Sequence, residues 1–146
     1  MRKRPKPNTQ ISQDNTWVTN LTMPFIMKYE GKILDQNGNH VLYDDDVNVP
    51  THKKRRWNGK GGQEGINKFI LSCKGKPTIG YGITDKDIIQ KGKITDSEAK
   101  DLVLKRIKRL NLHLFKNYPI YSKLNPNQKT ALISFTFNLG QHFIEL

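Results

Sequence analysis

The stretch KPTIGYGITDKDIIQKGKIT, residues 76–95, places two glycines around a tyrosine, between β-favouring residues and just before a helix start signal. Glycine weakens a strand unless the backbone must bend or another group must approach it closely. Gly80 and Gly82 therefore predict a strand over 76–84 that lies close to a phosphate, a sugar or another strand. The phosphate is disfavoured, because a polar turn rather than an apolar helix follows the glycines.

Two helices with complete start signals follow this stretch. Thr95 and Glu98 form a capping box, and apolar residues then recur at helical spacing. These residues are Ala99, Leu102, Val103, Ile107, Leu110 and Leu114. In NPNQKTALISFTFNLG, Asn125 caps a second helix, Pro126 occupies its first turn and Gly140 ends it. This second helix is apolar on several sides, which predicts neighbours on several sides.

The chain is predicted to be one domain preceded by a polar tail. Residues 1–19 are predicted to be a flexible basic tail, and residues 20–146 the domain itself. Residues 47–75 carry a basic run and several glycines and are predicted to be mostly loop, with a short helix or apolar segment near the end. Early strands followed by helices predict an α+β fold.

A short helix beginning at Asn20 is predicted before the first strand, with Pro24 in its first turn. Gly31 is expected to end this helix in a left-handed conformation. Glu30 then lies in the last turn, where the helix dipole disfavours its charge. Burial would act in the same direction, and both would raise the pKa of Glu30 as a general acid requires.

The first predicted hairpin leads to a row of carboxylates. A turn at 37–39 precedes a short strand over 40–43, and the triplet Asp44, Asp45 and Asp46 follows that strand. A glycosidase needs one protonated and one ionised carboxyl group, and this triplet offers the second. A polar turn or a weak cation site is the alternative for the triplet by itself.

The charge of the chain predicts polyanionic partners. Twenty-five Lys and Arg against thirteen Asp and Glu give a net charge of +12 and a pI near 9.9. Such a surface is attracted to nucleic acid, anionic lipid or a bacterial envelope. The run HKKRRW, residues 52–57, could contact nucleic acid, assist envelope attraction or be a solvated loop.

Metal and disulfide chemistry is not expected. The one cysteine, Cys73, permits no internal disulfide and is predicted to be a small, partly buried apolar residue. The four histidines are scattered and show no metal-ligand spacing, so no metal and no cofactor are predicted. No apolar run approaches the length of a membrane helix, and no signal peptide is evident.

Taken together, these motifs resemble those of the phage-type lysozymes, glycoside hydrolase family 24. The resemblance rests on KYEGKIL, LYDDD, TIGYG, KITDSEAKDL and ALISFTFNLG, in that order, and covers roughly residues 20–140. It implies a lysozyme-like α+β fold with a small β-hairpin lobe and a helical lobe facing each other across a cleft. It also implies muramidase activity on the β-1,4 bond between N-acetylmuramic acid and N-acetylglucosamine in peptidoglycan.

The resemblance also implies roles for particular residues. Glu30 would protonate the leaving oxygen, Asp45 would orient or deprotonate the attacking water, and Thr78 would hold that water, in an inverting arrangement. Asp44 is the alternative to Asp45, because the register of the triplet is uncertain by one residue. Substrate contacts are expected at Gly80, Gly82 and Asn138.

Four features depart from the family pattern. The hairpin between Glu30 and Asp45 is lengthened, and residues 47–75 form an insertion. Ile83 stands where the family usually has His, and Arg106 stands where the family has the acid that pairs with that His. Both members of the family's ion pair are therefore replaced. Family members also continue beyond the FNLG helix, which implies a missing C-terminal segment or a partner chain that supplies it.

The sequence thus predicts an endolysin or virion-associated muramidase whose partners are peptidoglycan and the anionic envelope. It would reach the wall from the host cytoplasm through a holin-type pore, or as a virion component. An inactive or incomplete wall-binding remnant of the same fold is one alternative. A basic nucleic-acid-binding module is the other, although no specific nucleic acid is expected.

Overall fold

A computed structural model describes residues 15–139, and the predicted end of the last helix at Gly140 and most of the predicted tail lie outside this range. The described residues form two compact units. One unit contains residues 15–28 and 104–139, and the other contains residues 29–103. The two units share one long helix, which begins in the second and ends in the first.

Helices dominate the chain, and its strands are short. The α-helices are α1 (Met23–Tyr29), α2 (Gly62–Ser72), α3 (Lys86–Ile89), α4 (Asp96–Asn117) and α5 (Pro126–Leu139). The strands are β1 (His40–Val41), β2 (Tyr43–Asp45), β3 (Lys76–Thr78) and β4 (Lys93–Ile94). A π-helical segment at Val18–Thr22 runs into α1, and 3₁₀ turns occupy Thr51–Lys53 and Pro119–Lys123. This mixture confirms the α+β prediction.

The start signals of α4 and α5 act as the sequence predicts. The backbone N–H of Glu98 donates to Thr95 Oγ1 at 3.1 Å, and Glu98 Oε1 accepts from the Thr95 N–H at 3.0 Å. Asn125 and Gln128 form the same reciprocal pair, at 2.8 and 3.0 Å. Each pair satisfies backbone donors that the first helical turn leaves unbonded.

The first helix starts earlier than predicted, so the predicted tail of residues 1–19 is too long at its C-terminal end. Val18 is buried within the π-helical segment, which packs against α5. Thr22 and Thr130 join the two elements by a buried hydroxyl hydrogen bond of 2.7 Å. Pro24 is the second residue of α1 and lies in its first turn, as predicted, although the π-helical segment precedes that turn.

The strands form two small antiparallel sheets, both in the second unit. One pairs β1 with β4, and the other pairs β2 with β3. Part of the predicted loop joins the second sheet, because Arg56 forms an antiparallel bridge with Tyr43 and the Trp57 N–H donates to the Leu42 carbonyl. The later part of the predicted insertion is helical, as expected for its apolar segment, and α2 buries Ile66 and Phe69.

The predicted strand over 76–84 is wrong in its second half, because the chain reverses after Thr78. Ile79 and Ile83 exchange two backbone hydrogen bonds of 2.9 Å around a three-residue turn, Gly80–Tyr81–Gly82. Both glycines have positive φ, 66° and 79°. Side-chain-bearing residues rarely adopt this conformation, which explains the two glycines directly.

The last helix is covered on one side within the described residues. Ile133 and Phe137 of α5 are buried, whereas Phe135 and Leu139 are about half exposed. The expectation of neighbours on several sides is thus met on one side within residues 15–139. Arg106 of α4 stacks on Phe137, with its guanidinium carbon 4.4 Å from the ring centroid, and donates to the Phe137 carbonyl.

Candidate active site

The carboxylate of Glu30 lies against the glycine turn. Glu30 directly follows the last residue of α1, within one residue of its predicted place. A Cβ added at Gly82 would lie 2.6 Å from Glu30 Oε2 and 2.9 Å from its Cδ. Real Cβ atoms essentially never show such a contact, so a side chain at this position would displace the carboxylate from the space it occupies.

The role expected for Gly31 is wrong. Gly31 does not have positive φ, so it does not end α1 in a left-handed conformation. Its missing Cβ instead admits the side chain of Thr51, whose Cγ2 would be 3.3 Å from it. Its carbonyl accepts a hydrogen bond of 3.2 Å from the Tyr43 hydroxyl. Gly31 thus fixes the chain beside Glu30 through packing and this bond.

The pairing of β2 with β3 brings Asp45 and Thr78 to one face of the sheet. Tyr43 is opposite Thr78, and Asp45 is opposite Lys76. Directly opposed residues in an antiparallel pair share a face, and so do residues two apart on a strand. The Thr78 hydroxyl is buried and donates to the Lys76 carbonyl at 2.9 Å, so its lone pairs remain available as acceptors.

Asp44 and Asp45 have different surroundings although they are adjacent. Asp44 is buried, and its two oxygens accept the backbone N–H groups of Lys74 and Gly75 at 2.8 and 2.7 Å. The side chain of Asp45 is 44% exposed, and its Oδ1 accepts a 2.5 Å hydrogen bond from Lys54. Oδ2 of Asp45 accepts no hydrogen bond from residues 15–139. This difference favours Asp45 over Asp44 as the carboxylate that meets water.

Lys54 is a site residue that the sequence analysis did not identify. Its side chain is only 9% exposed, and its ammonium group donates to Asp45 Oδ1 and to the Asp46 carbonyl. Two acceptors in fixed positions hold the ammonium group, which in turn fixes the orientation of the Asp45 carboxylate. The only signal was membership of the basic run, which does not indicate which lysine turns inward.

The phenol of Tyr43 is within electrostatic reach of both carboxylates, Glu30 and Asp45. Burial raises its pKa above the ordinary value of 10, and the negative charges of Asp45 and Glu30 raise it further. Both carboxylates are therefore near one hydroxyl group, although the sequence separates them by a complete hairpin. The phenol stays protonated and remains a hydrogen-bond donor to Gly31.

The predicted substrate contacts occupy different places. A Cβ at Gly80 would meet Ala99 and Ile94 at 3.4 Å, so this glycine faces the core and the start of α4. Asn138 is exposed near the end of α5, in the other compact unit. Whether Gly80, Gly82 or Asn138 contacts a glycan stays a prediction.

A partly buried network anchors the glycine turn, with His40 and Tyr81 buried and the Asp96 side chain partly exposed. The Nε2 atom of His40 lies 2.8 Å from Asp96 Oδ1, which also accepts a 2.7 Å hydrogen bond from the Tyr81 hydroxyl. The bonds from His40, Tyr81 and Lys100 lower the pKa of Asp96, and burial with the Asp96 bond raises the pKa of Tyr81 to about 12. Ile83 is buried beside this turn. The structure therefore contains a histidine–carboxylate pair at His40 and Asp96, which the sequence analysis missed.

No group of three or more His, Cys, Asp or Glu side chains within residues 15–139 could hold a metal ion. None of the described helices is long and apolar enough to span a membrane.

Burial and the charge of Asp44 raise the pKa of the Cys73 thiol to about 11. That thiol is half-buried and stays protonated near neutral pH, as expected for a packing residue.

An α+β fold that brings two separate carboxylates to one phenol, beside a buried threonine, has the elements of a glycoside hydrolase site. The comparison with protein families agrees, since the model of the phage lysozyme family matches residues 61–145. The chain belongs to this family, which implies a lysozyme-type hydrolase that acts on peptidoglycan. No curated protein and no solved structure matches the chain significantly.

The matched range includes Thr78 and the glycine turn but begins after Glu30 and Asp45. It also includes a second Glu-Gly pair, Glu64–Gly65, near its start. The structure distinguishes the two pairs. The Glu64 side chain is 82% exposed in the first turn of α2 and lies 3.9 Å from Lys68, whereas the Glu30 carboxylate contacts Gly82.

Proposed function

We propose that this protein is a muramidase that cleaves the β-1,4 bond between N-acetylmuramic acid and N-acetylglucosamine with inversion. The observation that carries the proposal is the contact of the Glu30 carboxylate with Gly82, in the turn that follows Thr78. This contact brings Glu30, the predicted general acid, to the segment that carries Thr78. Asp45 supplies the second carboxylate of the proposal, because the negative charges of Asp45 and Glu30 both raise the pKa of the Tyr43 phenol.

In this proposal Glu30 is the general acid. Its carboxyl proton passes to the glycosidic oxygen as the bond from the anomeric carbon to that oxygen breaks. The raised pKa expected for Glu30 stays a prediction. Its position after the last residue of a helix supports it, because a helix C-terminus disfavours negative charge.

Asp45 would take the proton of the attacking water while the water oxygen bonds to the anomeric carbon. The exposed side chain and the open Oδ2 atom support this assignment, since Lys54 occupies only Oδ1. Thr78 would orient the same water by accepting its second proton in a hydrogen bond, because the threonine's own proton is donated to Lys76. An inverting enzyme needs its carboxyl groups roughly 6.5–9.5 Å apart to admit the water.

The nucleic-acid alternative is not favoured, because the run HKKRRW is used within the fold. Lys54 pairs with Asp45, and Arg55 donates to Ser72 and lies over the Phe69 ring at 4.6 Å. The Trp57 ring packs against Gly92, where an added Cβ would lie 2.7 Å from it. A tryptophan held in this way is poorly placed to stack on a base. Holin-type release or delivery in a virion stays a prediction.

The test is product analysis on purified peptidoglycan. After digestion, borohydride reduction labels the new reducing ends, and we expect muramitol rather than glucosaminitol. NMR of the first products should show the α-anomer, the result of inversion at a β-bond. Glucosaminitol would show that the other glycosidic bond is cleaved, and a β-anomer would exclude inversion. No release of fragments would favour the inactive remnant.

A further inference from the structure

A cationic cleft lies beside the candidate active site in the second unit. Its volume is about 450 Å³, and its lining residues are Lys32, Ile33, Thr51, His52, Lys54 and Arg56. No acidic residue is among them. Three links connect the cleft to the site, since Lys32 is two residues after Glu30, Thr51 packs on Gly31, and Lys54 binds Asp45.

The cations of this cleft are held in place. Arg56 Nη1 donates to the Leu34 carbonyl at 3.0 Å, and the Lys32 ammonium lies 5.6 Å from the Tyr81 ring centroid. Lys54 is neutralised by Asp45, but neither Lys32 nor Arg56 forms an ion pair with any residue of 15–139. Arg56 acts on Asp35 only at longer range, where it helps to lower the pKa of that carboxyl group. Two positive charges without a close ion pair therefore face one concave surface, where protein walls concentrate the potential. Arg56 also keeps free N–H donors in a planar fork suited to an oxyanion.

We propose that this cleft binds a carboxylate of the peptide stem that peptidoglycan carries on its muramic acid residues. The inference rests on the proposed function, because it requires the glycan to be cleaved between Glu30 and Asp45. A muramic acid at that bond brings its lactyl-linked stem to the surface next to the carboxylates. The sugar rings are neutral, so the stem carboxylates are the anionic groups that are always attached close to the bond being cleaved.

The test uses a matched pair of double variants. Lys32→Met with Arg56→Met removes from the cleft the two positive charges that form no close ion pair. Lys105→Met with Arg109→Met removes two charges from exposed positions of α4 and is the control. Both variants lower the net charge equally, so general attraction to the anionic polymer is reduced to a similar extent in each.

The substrate is changed as well, so that the result does not depend on the variants alone. Teichoic-acid-free peptidoglycan is used as prepared or after its carboxyl groups are converted to methylamides. We expect the cleft variant to lose about tenfold in kcat/KM on the unmodified polymer, mainly through KM, since partly exposed ion pairs contribute modestly to binding. Wild type should lose a similar factor on amidation, and the two losses should not add. The control variant should behave as wild type.

Three outcomes would overturn the proposal. The first is the same loss for the cleft variant on amidated and unmodified polymer. The second is an equal loss in the control variant. The third is insensitivity to amidation, with a loss only when teichoic acid phosphate is removed from walls that carry it, which would make a phosphate the ligand.

A binding measurement separates this proposal from the proposed function. Co-sedimentation of the protein with the same two polymers needs no hydrolysis and gives the dissociation constants directly. Binding that weakens about tenfold on amidation in wild type, but not in the cleft variant, supports the cleft even if no bond is cleaved. Equal binding to both polymers refutes the cleft, even if the muramidase activity is found.

Discussion

Glu30 and Glu64 each precede a glycine, yet the two glutamates have opposite surroundings. Glu30 follows the C-terminal end of α1, and its carboxylate contacts Gly82. Glu64 lies in the first turn of α2, with its side chain largely exposed and Lys68 one helical turn away. The same dipeptide therefore stands at opposite ends of two helices.

The contrast shows that the site is defined by a contact between segments rather than by the dipeptide. A helix N-terminus favours an ionised carboxylate, whereas a helix C-terminus disfavours it. A general acid must hold its proton at working pH, so the C-terminal position suits Glu30. Of these two glutamates, the family match over residues 61–145 includes only Glu64, whereas the contact with Gly82 supports Glu30 as the candidate.

The largest effect is expected from exchanging each glutamate for glutamine. Glu30→Gln removes the proposed proton donor and should lower kcat on peptidoglycan roughly 1,000-fold, within the range of general acid catalysis. Glu64→Gln is the matched control and should leave kcat within about twofold, because exposed surface changes have small effects. Initial rates of reducing-end release measure both. Loss of activity in Glu64→Gln alone would reverse the assignment.

The next largest effect is expected from exchanging the adjacent aspartates Asp44 and Asp45, each for asparagine, which separates a structural from a catalytic role. Asp45→Asn should lower kcat about 100-fold with little change in thermal stability, because a neutral amide is a poor base. Asp44→Asn should instead lower the free energy of unfolding by about 2 kcal/mol, since Asp44 is buried and accepts two backbone N–H groups. Its kcat, measured where the variant is folded, should stay close to wild type. The opposite pattern would make Asp44 the catalytic carboxylate.

The comparison also shows how far the sequence predicted the molecule. The starts of α4 and α5 were predictable because a capping box involves residues three apart. The place of Glu30 at a helix end was also predicted, but from a left-handed Gly31 that the structure does not have. Its contact with Gly82 was not, because two segments far apart in sequence must first fold together.

Other errors have the same physical origin. His40 and Asp96 are 56 residues apart, and no local pattern relates a hairpin residue to the first residue of a helix. Lys54 resembles its basic neighbours until β2 places Asp45 beside it. The turn after Thr78 could have been found, because glycines at alternate positions are as typical of a reversal with positive φ as of a strand.

A smaller effect tests the contact between Glu30 and the turn directly. Gly82→Ala and Gly80→Ala both place alanine at positive φ, so both should lose about 1 kcal/mol of stability from backbone strain. Only Gly82→Ala also drives a Cβ into the Glu30 carboxylate, whereas a Cβ at Gly80 meets Ala99 and Ile94 at 3.4 Å. We therefore expect kcat to fall roughly tenfold or more in Gly82→Ala, since displaced catalytic groups lose rate steeply. Equal kcat values in the two variants would refute the contact.

The smallest effect, on the free energy of unfolding, is expected at Asp96, which anchors the Gly80–Tyr81–Gly82 turn beside Glu30. Asp96 has a lowered pKa, first because of its bond to His40 and then because of Tyr81. A lowered folded-state pKa stabilises the fold fully at pH values above the ordinary value of 3.8, and this stabilisation declines as the pH falls from there to the lower folded-state pKa. Asp96→Asn keeps an acceptor oxygen but loses the charge, so the free energy of unfolding at pH 7 should fall by about 1 kcal/mol. Denaturant titrations should also show a shallower loss of stability than wild type between about pH 5 and pH 3. Asp101→Asn, an exposed change on the same helix, is the control, and an identical acid response in Asp96→Asn and wild type would contradict the anchor.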